Sequence, residues 1–175
     1  MPHATKRPEA SEYPAYYKGY VDLVRKDNII KVLGDQVLEI QAIISQIPEE
    51  KEDYAYAEGK WTIKEIIGHI IDTERILGYR AMRFARKDKT PLPGYDENHY
   101  VANANFKNQT LYQLAHEFAV VREANLALFK VWKEEELSQV GVANDLDVSV
   151  RALLFMMAGH ATHHVNVIKS RYLVD

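Results

Sequence analysis

No cysteine occurs among the 175 residues, and that absence removes two classes of protein at once. Neither a disulfide framework nor a thiolate metal site can be built, so the fold must hold by packing. Charge of one sign is lacking too: 22 Lys plus Arg stand against 25 Asp plus Glu, a net of 22 − 25 = −3. With the signs mixed along the chain there is no basic stripe to neutralise phosphates, and nucleic acid is not expected as a partner. No stretch approaches 18 uninterrupted apolar residues, which argues against a membrane span. The segment from Met1 to Gly19 carries Lys6, Arg7, Glu9, Glu12 and three prolines and has no apolar core of the signal-peptide kind. A cytoplasmic protein without a membrane partner is the expectation. Internal repeats and low-complexity tracts are also missing.

What is present is an ordinary globular composition, 47% apolar and 27% charged, which predicts one domain over residues 20–175 behind an extended N-terminal segment, 1–19. Ile30, Leu33, Val37, Ile40, Ile44 and Ile47 recur at steps of three and four, the spacing of an amphipathic helix, and Pro48 follows. Thr62 and Glu65 form a capping box ahead of Ile63, Ile66, Ile67, Ile70, Leu77 and Ala81, predicting a second helix to about Arg86. A second box, Thr110 with Gln113, opens a third helix whose apolar face is Leu111, Leu114, Phe118, Val121, Leu128 and Trp132. Ser149 is a plausible N-cap for a fourth helix with Val150, Leu153, Leu154, Met157, Ala161, Ile168 and Tyr172 on one side.

Four such helices make an all-α fold, a four-helix bundle. The 23 residues from Lys87 to Gln109, broken by Pro91, Pro93 and Gly94, are long enough to climb a whole helix. The second and third helices could then run parallel, an up-down-down-up order. Leu92, Tyr95, Tyr100, Val101 and Phe106 give this segment anchors. Tyr95, Asp96, Glu97 and Tyr100 read equally as a lid or as packing of a crossover.

Seven histidines differ in kind. His3 in the tail, His99 in the long segment and His116 opposite the Leu114 and Phe118 stripe read as solvated imidazoles. His160 and His164, four apart, lie about 40° from each other around the fourth helix, in the sector of Leu153, Met157 and Ile168. His69 is in line with Ile66, Thr73 and Ile76, at the edge of the inward face of the second helix. Buried nitrogens without partners each cost a few kcal/mol, so three inward imidazoles need something to satisfy them. A divalent metal does so, and three His ligands leave a fourth position open, the arrangement of a catalytic zinc site. The competing reading of the i, i+4 pair alone is a chance pair in a His-rich stretch. His163, three residues from His160, is the alternative partner, although its angle places it nearer the rim.

Two metal motifs are excluded. In His160-Ala161-Thr162-His163-His164 an Ala stands where a zincin needs its glutamate base. No His has a Glu three residues before it, so the paired Glu-x-x-His of di-iron bundles is missing.

Trp61-Thr62-Ile63-Lys64-Glu65 followed by His69, the loop Asp88 to Gly94, and Ala158-Gly159-His160 through His163-His164 to Arg171-Tyr172-Leu173 together resemble the DinB/YfiT-like superfamily of metal-binding four-helix bundles. The likeness runs from about Asn28 to Leu173. It implies an up-down-down-up bundle, frequently a homodimer, with nickel, zinc or manganese held by His69, His160 and His164. It also implies a metal-dependent thiol S-transferase or a related hydrolase acting on a small molecule. Some relatives use bacillithiol or mycothiol. With no cysteine in the chain, a low-molecular-weight thiol would have to come from outside as co-substrate.

The expected chemistry is a cation, open at one position, that lowers the pKa of a bound water or thiol. Candidate catalytic helpers are Asp72, three residues from His69, and Arg171, seven beyond His164. Their bland readings are a solvated helix charge and a cation favoured at a helix C-terminus. The rival class is a non-catalytic bundle or dimeric interaction protein. Phe155 and Met156, off the inward stripe, would then bury against a second copy.

Overall fold

The computed structural model describes residues 6–173. Two 3-10 turns, Ala10–Glu12 and Ala15–Tyr17, lead into a six-residue helix, α1 (Lys18–Leu23). Helix α2 (Ile29–Ile44) begins at Asn28, whose side-chain oxygen accepts from the Lys31 amide at 3.1 Å. Both capping boxes form as the sequence places them. Thr62 and Glu65 satisfy each other's amides at the start of α3 (Ile63–Ala85). A short helix, α4 (Glu97–Asn103), is capped by Asp96 and precedes α5 (Leu111–Phe129), which Thr110 and Gln113 open. After α6 (Glu134–Leu137) comes a hairpin of β1 (Val140–Ala143) and β2 (Leu146–Ser149). Its two-residue turn, Asn144-Asp145, has both φ positive, 53° and 60°, as the twist of a tight hairpin requires. Ser149 then accepts from the Ala152 amide and starts α7 (Val150–Val167), which closes in a π-turn, Ile168–Tyr172.

The core fixes the order of the bundle. One cluster joins Ile29 and Leu33 of α2, Leu77 and Phe84 of α3, Leu126 and Phe129 of α5, and Val150 to Ala158 of α7. The other joins Ile40 to Ile47, Ile63 to Ile71, Leu111 to Phe118, and Ala161 with Ile168. Helices α2 and α7 therefore run from the first cluster to the second, whereas α3 and α5 run back. That is the up-down-down-up order, and the parallel α3 and α5 are joined by the long segment expected from the sequence. Phe106 pins that segment to α3: a Cβ on Gly68 would overlap its ring. Leu92 pins it to the hairpin, exchanging backbone hydrogen bonds with Val142 and Asn144 at 2.9 Å each.

Between the two clusters lies a polar layer that spans all four long helices. Arg122 of α5 donates to Glu74 of α3 at 2.8 and 2.9 Å, and to the Leu33 carbonyl and Gln36 Oε1 of α2. Gln36 in turn donates to the Ala158 carbonyl and Thr162 Oγ1 of α7. Every strong hydrogen-bonding group of the layer is met, which is the condition for burying charge at tolerable cost.

The structure corrects the reading of Phe155 and Met156. They are 0% and 4% exposed, not an apolar pair offered to a second copy. Helix α1, with buried Val21, packs along that side of α7, and the Arg7 guanidinium lies 5.5 Å above the Phe155 ring. A second correction concerns the helix faces. The buried stripe of α2 centres on Gln36 and not Val37, and that of α5 on Arg122 and not Val121.

Candidate metal centre

His69, in the second turn of α3, and His160 and His164, one turn apart on α7, come together where these neighbouring helices face each other. Their Nε2 atoms lie 2.9 Å (His69 to His160) and 3.1 Å (His160 to His164) apart. A ligand nitrogen from each of the three fits within 4.8 Å of the others. Four-coordinate zinc with Zn–N bonds of 2.0 to 2.1 Å would hold its nitrogens about 3.3 Å apart, so the His69–His160 and His160–His164 spacings lie a few tenths of an ångström below that value.

Hydrogen bonding alone does not satisfy such a trio. Each Nε2 carries either one proton or one lone pair. His160 Nε2 faces both other rings, so it can pair well with only one of them. A cation accepts all three lone pairs together, and the donor set therefore fits a divalent metal. Burial, first among the causes, pushes the rings away from the charged form: His69 down to about 4, His164 down to about 3, and His160 well below its ordinary range. All three are neutral near pH 7, the state in which imidazole ligates.

Aromatic rings hold the imidazoles in place. Trp61, just before the Thr62 cap, lies 4.7 Å from the His69 ring, and Tyr20 of α1 meets His160 edge-on at 5.5 Å. That second contact depends on Gly159, because a Cβ there would collide with the Tyr20 backbone carbonyl. Glycine lets α1 approach α7 beside the metal-type cluster. Tyr20 also meets His163 at 5.5 Å, which leaves His163 at the rim and outside the trio.

A cavity of about 400 Å³ opens from His69 and His160. Thr73, Leu77 and Arg80 extend the His69 stripe along α3, while Tyr17 of the second 3-10 turn, Tyr20 of α1 and Met156 of α7 form another wall. Tyr95 and Glu97 of the long segment line it as well. Tyr95 donates to or accepts from Thr73 Oγ1 at 2.7 Å, and Tyr100 packs 5.1 Å from the Tyr95 ring. Asp96 is occupied in capping α4.

The two proposed helpers lie elsewhere. Asp72 is half-buried on α3, and Arg75 and Glu117 are the charges that act on it; burial raises its pKa. It makes no hydrogen bond to an imidazole among the described residues. Arg171 is exposed on the terminal π-turn. His99 and His116 are exposed, and His3 lies outside the described residues. Arg80, Tyr17 and Tyr20 were not singled out from the sequence, although signals existed. Arg80 is eleven residues after His69 and so about 20° from it around the helix. Gly159 beside His160 marks a close backbone approach.

The DinB superfamily model matches residues 39–168. A protein of Oceanobacillus iheyensis carrying the name of a metal-dependent hydrolase is 25% identical over 130 residues, 72% of this chain and 73% of that one. A Bacillus pumilus protein of the same name is 24% identical over 160 residues, 88% and 90% of the two chains. Among solved structures, YfiT from Bacillus subtilis, described as a metal-dependent hydrolase with an unusual four-helix bundle topology, superposes with TM-score 0.70 at 14% identity over 96% of this chain and 92% of that one. The mycothiol-dependent maleylpyruvate isomerase superposes with TM-score 0.65 at 13% identity, over 79% and 58%.

Proposed function

The chain belongs to the DinB superfamily, and from that premise we propose that it is a metal-dependent hydrolase whose divalent cation is held by His69, His160 and His164. One observation carries the reading: three neutral imidazoles from two helices, His69 and His160 buried and His164 half-buried, bring their ligand nitrogens within 4.8 Å of one another beside a cavity. Three imidazoles suit zinc or nickel better than manganese, which prefers oxygen ligands. When bound, such a cation supplies Lewis acidity and a water nucleophile at neutral pH.

The chain's own residues do the rest. Neutral ligands leave the full double charge of the cation facing the cavity. Trp61 and Tyr20 wall off the rings they touch, so approach is from the cavity side, which is sized for a small molecule. Glu97 is the single carboxylate among the described residues of the lining, and with the imidazoles engaged as ligands it would be the group to hold a proton there.

A low-molecular-weight thiol in place of water is the second reading. It is favoured by the likeness in fold to an isomerase that depends on mycothiol and by the absence of any cysteine in the chain. The test begins with the metal content of protein purified without a His tag. Turnover of a panel of small esters and amides is then followed before chelation, after it, and after zinc or nickel is returned, with and without added thiol. Loss and return of hydrolysis in the absence of thiol is the expected result. Turnover that survives complete chelation overturns the reading, and turnover seen only with thiol replaces it by the second.

A further inference from the structure

Arg80 is 7% exposed, lines the cavity, and has no carboxylate within ion-pair distance among the described residues. Among those residues it makes one hydrogen bond, from Nη2 to the Pro93 carbonyl at 2.8 Å. Its guanidinium has five N–H donors, and it keeps its charge in proteins. The other buried arginines are treated differently: Arg122 has Glu74, and Arg151 has Glu134 and Glu12. A buried charge is ordinarily paired, so an arginine left open toward a cavity lacks its counter-ion.

We propose that Arg80 is the anchor for a carboxylate on the substrate, which lies with its reacting end at the three imidazoles and its anionic end three turns further along α3. His69, Thr73, Leu77 and Arg80 make one continuous stripe on that helix, all lining the cavity. The eleven residues from His69 to Arg80 rise roughly 16 Å along the axis. The ligand is thus elongated, with the acid remote from the bond that reacts. Its middle faces Leu77, Leu146, Met156 and tyrosine rings, which suit an alkyl or aryl chain. Tyr17 lines the same cavity and is a neutral phenol at neutral pH, so it brings no competing charge to the guanidinium. A phosphate dianion fits less well. Arg80 is the sole Arg or Lys of the lining, and Glu97 is in the same wall.

This assignment rests on the hydrolase reading for its orientation but is tested apart from it. The probes are hexanoate and 4-phenylbutyrate, each against its own neutral amide, titrated calorimetrically into chelated full-length protein at neutral pH. Each acid is expected to bind at least about ten-fold more tightly than its amide, as a charge-assisted bond in a buried site implies. That preference should disappear in Arg80→Gln and persist in metal-free His160→Ala. Equal binding of acid and amide, or no binding of either acid at millimolar concentration, overturns the proposal. So does a preference that needs zinc and survives in Arg80→Gln, since the carboxylate is then on the metal. Should Arg80→Gln fail to fold, the Arg80 Nε–Hε resonance of the unmutated protein, identified by its loss in Arg80→Lys, must move on titration with acid and not with amide. An unmoved resonance overturns the proposal equally. A chain that binds no metal yet keeps the acid preference leaves Arg80 as the anchor and removes the hydrolase.

Discussion

Arg122 and Glu74 form a two-pronged ion pair at 2.8 and 2.9 Å with side chains 0% and 1% exposed, in the middle of the bundle. Through Gln36 the pair reaches Thr162, which sits between His160 and His164 on α7. The layer thus ties the register of four helices to the cluster. Breaking the pair from one side leaves an uncompensated buried charge, at a cost of about 3–5 kcal/mol. Arg122→Leu and Glu74→Leu should each lower the urea unfolding free energy by that order. The double variant should lose less than the sum of the two.

Replacing any one of His69, His160 or His164 by Ala leaves two imidazoles. Each variant is expected to lose stoichiometric metal by elemental analysis. Zinc at a hundred times its dissociation constant should stabilise the unmutated chain by about 2.7 kcal/mol, and a thermal melt of the variants should show little or none of this. His99→Ala and His116→Ala should behave as the parent.

Acid should destabilise the chelated protein in a defined window. His69 and His164 are lowered in the folded chain to about 4 and about 3 from the ordinary 6.5, with burial as the leading cause and His160 moving the same way. The unfolded chain therefore binds protons first, and stability falls as pH drops from about 6.5 toward 3. Above 6.5 these groups contribute no slope. Urea midpoints measured across that range in the presence of chelator check the sign.

Gly159→Ala places a methyl group against the Tyr20 carbonyl. Backbone cannot swing aside as a side chain does, so overpacking of about 1–3 kcal/mol is expected. It should be concentrated in α1. Hydrogen exchange over residues 18–24 should accelerate while the interiors of α3 and α5 stay protected. Uniform acceleration would contradict the assigned contact.

Tyr172 donates to the Trp61 carbonyl at 2.6 Å, fastening the segment that carries Trp61 beside His69. Tyr172→Phe should cost about 1 kcal/mol and alter the Trp61 fluorescence on metal addition. Burial raises this phenol to about 12, so its contribution holds up to the ordinary value near 10 and fades as pH climbs toward 12.

The capping residues were legible because caps are local: Asn28 aside, Thr62, Thr110 and Ser149 stand where the sequence puts them. The parallel pair of helices was legible from the length of one connection. The inward turn of His69, His160 and His164 followed from helical spacing. The helix faces were displaced by one position because Gln36 and Arg122 occupy their centres, and a polar residue at a core position looks like surface until its partners on other helices are known. Helix α1 went unread since six residues are too few to carry a periodicity, and with it went the burial of Phe155 and the tyrosine wall. Arg80 went unread for a related reason: its place eleven residues after His69 shows which face it is on, but its burial against the cavity depends on partners from elsewhere in the chain.

Tyr20 and His160 touch across 140 positions of chain, 160 − 20. A contact so distant in sequence forms only after the entropy of closing the intervening loop has been overcome, and loops of this size slow folding. The interior closes loops nearly as long, since Gln36 reaches Ala158 and Thr162 on the same helix. The cavity wall and the polar layer therefore both depend on the last long helix returning to the first part of the chain.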